Sequence, residues 1–191
     1  MDLSFTNTAQ PSKGKILISE PFLDDDYFGR SVILLCEHNE EGSFGFVLNN
    51  FIDLDLRDVA KNFPDIETKI GIGGPVETDN IYFIHSRPDL LEDSREVIPN
   101  IYIGGSYSKL LHLLDTGELK PNEVRFFLGY SGWSPHQLDQ ELNEHAWLVT
   151  DILAKDIMDI HAGDTLWSKY LKKQGKKYAV MTSFPLNPQD N

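Results

Sequence analysis

The residues most able to bind or react stand together in Gly129-Tyr130-Ser131-Gly132-Trp133-Ser134-Pro135-His136-Gln137. Read locally, Phe126–Leu128 is a buried strand, Gly129–Ser134 a tight glycine turn, and Pro135–Glu144 a helix. Ser134 is expected as the N-cap, Pro135 as the first helical residue and Gln137 as the reciprocal partner of a capping box. A helix start behind a glycine turn leaves backbone N–H groups facing a cleft, which suits an anion or a polar ligand. The turn Gly73-Gly74-Pro75 is expected to meet it, because glycines let a ligand approach the backbone closely. Trp133 would supply an apolar wall and His136 a titratable donor. The ligand set expected on this reading is Gly73, Gly74, Ser131, Gly132, Trp133, Ser134, His136 and Gln137. A competing reading has Ser134 and Gln137 satisfying the same N–H groups themselves, which leaves nothing for a ligand.

A hydrolase would use Ser131 as nucleophile, since Gly129-x-Ser131 begins like a nucleophile elbow. Trp133 then stands where the elbow needs a small residue, and a histidine and an acid must also converge on the serine. No catalytic residue is assigned, and a binding domain is favoured over an enzyme. The six histidines form no H-E-x-x-H or H-x-H pattern, and Glu141 with His145, one helical turn apart, suits an exposed pair better than a metal. Gly71-x-Gly73-Gly74 and Gly104-Gly105 lack the rest of a nucleotide-binding loop. Neither a metal nor a cofactor is expected. A second group, Arg30, Glu37, His38, Asn39 and Asn49, brackets a hairpin. A guanidinium beside a buried strand needs a carboxylate or carbonyls. Arg30 is therefore either a structural ion-pair partner for one of Asp24 to Asp26 or a ligand clamp.

These groups must be held by a chain whose 30 acidic and 17 basic residues give a net charge of −13. That sign argues against a direct nucleic-acid partner, which requires clustered cations. The basic stretch Lys169–Lys177 reads as a solvated helix end. A small ligand or a protein is the expected partner. The single cysteine, Cys36, lies inside Val32–Cys36 and reads as a buried thiol, so no disulfide framework argues for secretion. The start of the chain lacks a signal-peptide pattern, and no apolar run approaches the ~18 residues of a membrane span. A cytoplasmic location without membrane contact is expected.

Residues 1–13 read as a loose tail ahead of a single domain, 14–191. Lys15–Ser19 is a strand, and Asp24–Asp26 an acidic turn. Ser31–Glu37 is a strand apolar enough to be buried on both faces. A short loop joins it to Phe44–Leu48 as an antiparallel hairpin, with Arg30 and Asn49 near the same end. Asp55–Phe63 is a short helix. Ile70–Ile72, Ile81–His85 and Ile101–Ile103 are strands. Ser106 caps a helix through Leu114, with Gly117 just past its end. Val124–Tyr130 and Trp147–Val149 are strands. Asp164 caps a helix that turns Leu166, Trp167, Tyr170 and Leu171 inward and ends at Gly175. Tyr178–Met181 reads as a last strand. The mixture indicates an α+β fold.

Several separated motifs agree in order and spacing: Phe28-Gly29-Arg30-Ser31-Val32, Cys36-Glu37-His38-Asn39, Gly45-Phe46-Val47-Leu48-Asn49, Gly73-Gly74-Pro75-Val76, Gly129-Tyr130-Ser131-Gly132-Trp133 with Gln137-Leu138-x-x-Glu141-Leu142, and Ala146-Trp147-Leu148. From about Lys15 to Val149, and more weakly to Pro185, the chain resembles the AlgH/YqgE family of small bacterial proteins. The resemblance implies an α+β fold with a mixed, branched β-sheet forming a partly closed barrel, surrounded by helices. It carries no established enzyme activity. Members are often labelled transcriptional regulators, a label that implies a genetic effect rather than a demonstrated DNA contact. Two positions depart from the family pattern: His136 stands where glycine is expected and His145 where asparagine is expected.

Overall fold

The computed structural model describes residues 6, 7, 9–23, 25 and 27–185. Among them, ten strands form one sheet: β1 (Ile16–Ser19), β2 (Val32–Asn39), β3 (Gly42–Val47), β4 (Phe51–Ile52), β5 (Ile70–Ile72), β6 (Val76–His85), β7 (Ser94–Ile98), β8 (Ile101–Gly104), β9 (Val124–Trp133) and β10 (Trp147–Thr150). The α-helices are α1 (Leu56–Val59), α2 (Tyr107–Asp115), α3 (Gln137–Asn143), α4 (Ala154–Ile157), α5 (Asp164–Lys173) and α6 (Lys176–Met181). The main path through the sheet is β10-β1-β2-β3-β9-β6-β8-β7, antiparallel throughout, and it curls into a half-barrel with the helices around it.

The branch lies at β9. Its last residues, Ser131–Trp133, pair with β3, while Phe126–Leu128 pair in parallel with β5 and antiparallel with β6. The far end of β3 leaves β9 and joins the β5 end, where the Val47 amide donates to the Gly73 carbonyl at 2.9 Å. The unbroken apolar run of β2 follows from its central position. Val32, Leu34 and Cys36 enter a core closed by α5 and α6, and Ile33 and Leu35 enter a second core beneath α3. Burial pushes the Cys36 thiol pKa up, which keeps it protonated. A third core lies under α1 and α2 around Phe126 and Leu110.

Three local expectations need correction. Gly129–Ser134 is not a turn, because β9 runs on to Trp133. Gly129, at φ 65, lets the strand bend opposite an irregularity in β6 between Val76 and Ile81. Tyr178–Met181 belongs to helix α6, with Tyr178 and Met181 buried three residues apart, a helical spacing. Helix α5 has Gly163 rather than Asp164 at its N-cap. Within segment 1–13, Asn7 is tied to the sheet. The Asn7 side chain donates to the Trp147 carbonyl at 2.8 Å and accepts from the Val149 amide at 2.7 Å, pairing with the outer edge of β10 as a strand would. Asp24 and Asp26 of the expected acidic turn lie outside the described residues. Asp25 does build a turn, accepting the amides of Tyr27 and Phe28.

Candidate cleft at the end of the hairpin

The two groups singled out in the sequence are brought partly together by the β3–β9 pairing, which sets Ser43 beside Trp133 and Phe44 beside Gly132. The β2–β3 turn, Glu40-Glu41, therefore projects beside the end of β9. A cleft of about 530 Å³ opens there, lined by Glu37, Asn39, Glu41, Gly42, Ser43, Phe44, Val76, Tyr130, Gly132, Trp133, Ser134 and Pro135. Gly42 lets the two chains close up, since a Cβ at this residue would lie 2.3 Å from the Trp133 carbonyl oxygen. Phe44 and Tyr130 meet edge to face at 6.0 Å, and Tyr82 backs Tyr130 at 5.5 Å. Gly132 is exposed, and a Cβ added to it would reach the Tyr130 ring and Val76. Its missing side chain leaves the aromatic floor open.

The polar groups of the wall are arranged by short-range bonds. Asn39 Nδ2 donates to Glu37 Oε1 at 2.9 Å, and Asn39 Oδ1 accepts the Glu41 amide at 2.8 Å. His38 Nδ1 lies 2.7 Å from Ser43 Oγ. His38, Asn39, Ser134 and His136 also line an adjoining hollow of about 300 Å³. Glu37 lies 3.8 Å from Arg95, a loose pair between exposed groups.

Other expected site residues serve the framework. The Ser131 side chain is fully buried, and its hydroxyl donates to the Gly73 carbonyl at 2.9 Å. That placement removes it from any substrate. Gly73 and Gly74 do meet β9, but backbone to backbone, for a Cβ on Gly74 would lie 2.4 Å from the Tyr130 carbonyl oxygen. No room is left there for a ligand. Ser131→Ala is expected to cost about 1 kcal/mol, the net worth of one hydrogen bond. It should leave labelling by a serine-directed covalent probe at background. Labelling that depends on Ser131 would restore the hydrolase reading.

Ser134 does not cap the helix by its side chain, and Pro135 is not helical. Helix α3 starts at Gln137 with His136 as N-cap in the left-handed region, φ 64. The Ser134 amide donates to Gln137 Oε1 and the Gln137 amide to the Ser134 carbonyl, both at 3.0 Å. The Ser134 and Gln137 amides are thus spent and Pro135 has no N–H to offer, and the cleft wall carries carboxylates instead. Trp133 is buried, not a wall of open apolar surface. Its indole N–H donates to Glu141 Oε2 at 2.9 Å, and that of Trp147 donates to the same oxygen at 2.7 Å. Glu141 is the hub of a structural clasp, not half of a metal pair with His145.

The geometry also accounts for the glycine and asparagine that the resemblance leads one to expect at positions 136 and 145. His136 and His145 both have positive φ, 64 and 63. Glycine adopts that region freely, and asparagine is the next best occupant. His136→Gly and His145→Asn are each expected to raise stability by about 0.5–1 kcal/mol, measured by urea denaturation. A loss in either variant would mean that the imidazole makes a compensating interaction.

Arg30 and Asn49 do share one end of the hairpin, as expected, with Asn49 Nδ2 donating to the Arg30 carbonyl at 2.9 Å. That end lies away from Glu37–Asn39 by the length of β2, roughly 23 Å at ~3.3 Å per residue. The group is therefore two groups. Among the described residues Arg30 makes no ion pair with Asp25. Sequence reading missed Glu41, Gly42, Ser43, Phe44, Val76, Tyr130 and Pro135. It also missed Arg125, a fully buried cation in β9. The one signal available for Phe44 and Tyr130 was an aromatic residue beside a glycine in each paired strand. Among the described residues no helix is long and apolar enough to cross a membrane.

A family model described as AlgH-like matches residues 16–179. A UPF0301 protein of Cytophaga hutchinsonii is 41% identical over 182 residues, spanning 94% of this chain and 99% of the relative. A UPF0301 protein of Pelodictyon phaeoclathratiforme is 38% identical over 175 residues, 92% of this chain and 93% of the relative. Among solved structures, the AlgH protein from Pseudomonas aeruginosa superposes with a TM-score of 0.71 at 27% identity, covering 93% of this chain and 98% of that one. A protein from Corynebacterium diphtheriae shares the fold, with a TM-score of 0.75 at 24% identity over 92% of this chain and 94% of that one.

Proposed function

The chain belongs to the AlgH-like family, and from that premise we propose that it is a non-enzymatic binding domain of the cytoplasm that receives a basic segment of a protein partner. The observation that carries this reading is the cleft at the hairpin end, where Glu37 and Glu41 stand over a floor that includes Phe44 and Tyr130. Carboxylates beside aromatic faces are the complement of lysine and arginine side chains, through charge-assisted hydrogen bonds and cation–π contact. The net charge of −13 adds long-range attraction for such a segment. A regulatory effect would then pass through the protein partner and not through DNA. Ser131, the nucleophile of the competing enzyme reading, is buried and engaged.

Gly132→Val tests this reading with little cost to the fold, because a β-branched residue suits a strand and its Cβ would enter the cleft. Titration calorimetry with a tetra-arginine peptide should give salt-sensitive binding to the unaltered protein. Affinity should fall about tenfold, or ~1.4 kcal/mol, in Gly132→Val and in the Glu37→Gln, Glu41→Gln double variant. Unchanged affinity in both variants would overturn the assignment of the cleft.

A further inference from the structure

The basic stretch Lys169–Lys177 takes a definite shape in the fold. Lys169, Lys172, Lys173, Lys176 and Lys177 fall within nine residues, and no acidic residue stands between Asp164 and Met181, in a chain whose net charge is −13. Helices α5 and α6 meet at Gln174-Gly175, where Gly175 takes φ 120 and a Cβ added to it would meet nothing. The bend is therefore an open tip with lysines on both flanks. Lys172, Lys173 and Lys176 are exposed and, among the described residues, pair with no carboxylate. Lys169 is spent on Asp156, at 2.7 Å. Lys173 lies over the Tyr170 ring and Lys177 over that of Tyr178, 4.1 and 5.4 Å from the centroids, contacts that steady the stems and leave the charge in place.

Helix stability accounts for only half of this charge. Lys172 and Lys173 end α5, where cations complement the dipole. Lys176 and Lys177 open α6, where cations oppose it, and the first turn of α6 carries no acidic residue to offset them. Leu171 and Tyr178, on either side of the turn, are buried in the core beneath α5 and α6 and fix it to its own sheet. The hairpin-end cleft is built from β2, β3, β6, β9 and the segment just after β9. The turn can therefore enter only the cleft of another molecule. The two surfaces are complementary in charge: Glu37 and Glu41 line the cleft, and Glu40 and Asp139 line the adjoining hollow.

We propose that the basic segment received by the hairpin-end cleft is the Lys172–Lys177 turn of a second copy of this chain. This inference rests on the reading of that cleft as a site for a basic segment, and it names the occupant. The ammonium groups would meet Glu37, Glu40 and Glu41, with the lysine stems over Phe44 and Tyr130. Each copy carries one turn and one cleft, so the contact joins unlike patches of the same chain. At ~0.15 M salt the Debye length of about 8 Å screens the overall repulsion between two acidic copies and weakens the close contact less.

The test is sedimentation equilibrium at about 0.5 mM protein, where a ~0.1 mM self-affinity leaves most chains associated. The unaltered protein should associate at ~0.15 M salt and be monomeric at ~1 M. The double variant Lys172→Glu, Lys176→Glu keeps the cleft, and Glu37→Gln, Glu41→Gln keeps the turn. Each should weaken self-association about tenfold or more. Mixed in equal amounts, the two variants should form an equimolar complex, because each supplies the half that the other lacks. Excess tetra-arginine peptide should disperse the assemblies of the unaltered protein by filling the cleft. A monomeric unaltered protein that still binds tetra-arginine would overturn the self-contact and leave the cleft to a foreign basic partner. A monomer that does not bind the peptide would overturn the reading of the cleft as well. Association undiminished in either variant, or absent from their mixture, would overturn the turn-to-cleft contact.

Discussion

Glu141→Ala is expected to lower the unfolding free energy by about 2–4 kcal/mol. One carboxylate oxygen holds the indole N–H groups of both Trp133 and Trp147, and the other accepts Gln137 Nε2 at 3.0 Å. The two indoles meet edge to face at 6.3 Å and are 6% and 2% exposed. Removing their shared acceptor leaves two nearly buried donors unpaired, at ~1–3 kcal/mol each, less whatever water recovers through the half-open side of Glu141. Glu141→Gln keeps an acceptor in place and should lose only about 1 kcal/mol. Urea denaturation followed by tryptophan fluorescence measures both. A loss below ~0.5 kcal/mol in the alanine variant would show that the clasp does not tie α3 to β9 and β10.

Arg125→Ala should cost about 3–5 kcal/mol, roughly a fifth or more of the stability of a typical domain. The side chain is fully buried, lies 5.1 Å from the ring centroids of both Phe51 and Phe127, and donates to the carbonyls of Leu48 and Ile157. Burial pushes its pKa down to about 9, which still leaves it charged at neutral pH. Truncation opens a cavity between the two rings and strips two buried carbonyls of their donor. Arg125→Met fills most of the volume and removes the cost of burying a charge, so it should lose less than ~1.5 kcal/mol. Chemical denaturation of both variants checks the ordering. Equal losses would mean that the hydrogen bonds, and not the filled space, set the cost.

Arg125 illustrates what a sequence hides. In Val124-Arg125-Phe126 it looks like one charge within a strand, and its carbonyl partners are 77 and 32 residues away. Features governed by neighbours were legible. The two-sided burial of β2 follows from its apolar run. Helix α2 starts at Ser106, whose hydroxyl accepts the Lys109 amide, and Gly117 follows its end at φ 75. The inward face of α5 follows from the spacing of Leu166, Trp167, Tyr170 and Leu171. The motifs carried the family as well. The run Gly129–Ser134 was misread because glycines that allow a bend and a close strand contact have the same composition as glycines that make a turn. The helix expected to begin at Pro135 was misplaced because the left-handed residue is a histidine, which does not advertise that conformation. Less than half of the residues lining the hairpin-end cleft stood among the sequence candidates, in isolated motifs. Their meeting depends on the β3–β9 register, which no local pattern encodes.

The most direct test of the binding assignment is a ¹⁵N NMR titration of the unaltered protein with a tetra-arginine peptide. Saturating shifts confined to Glu41–Phe44 and Tyr130–Ser134, weakened by added salt, are the expected result. Shifts absent there, or unchanged when Glu37 and Glu41 are both replaced by glutamine, would contradict the cleft as the place where a basic partner is received.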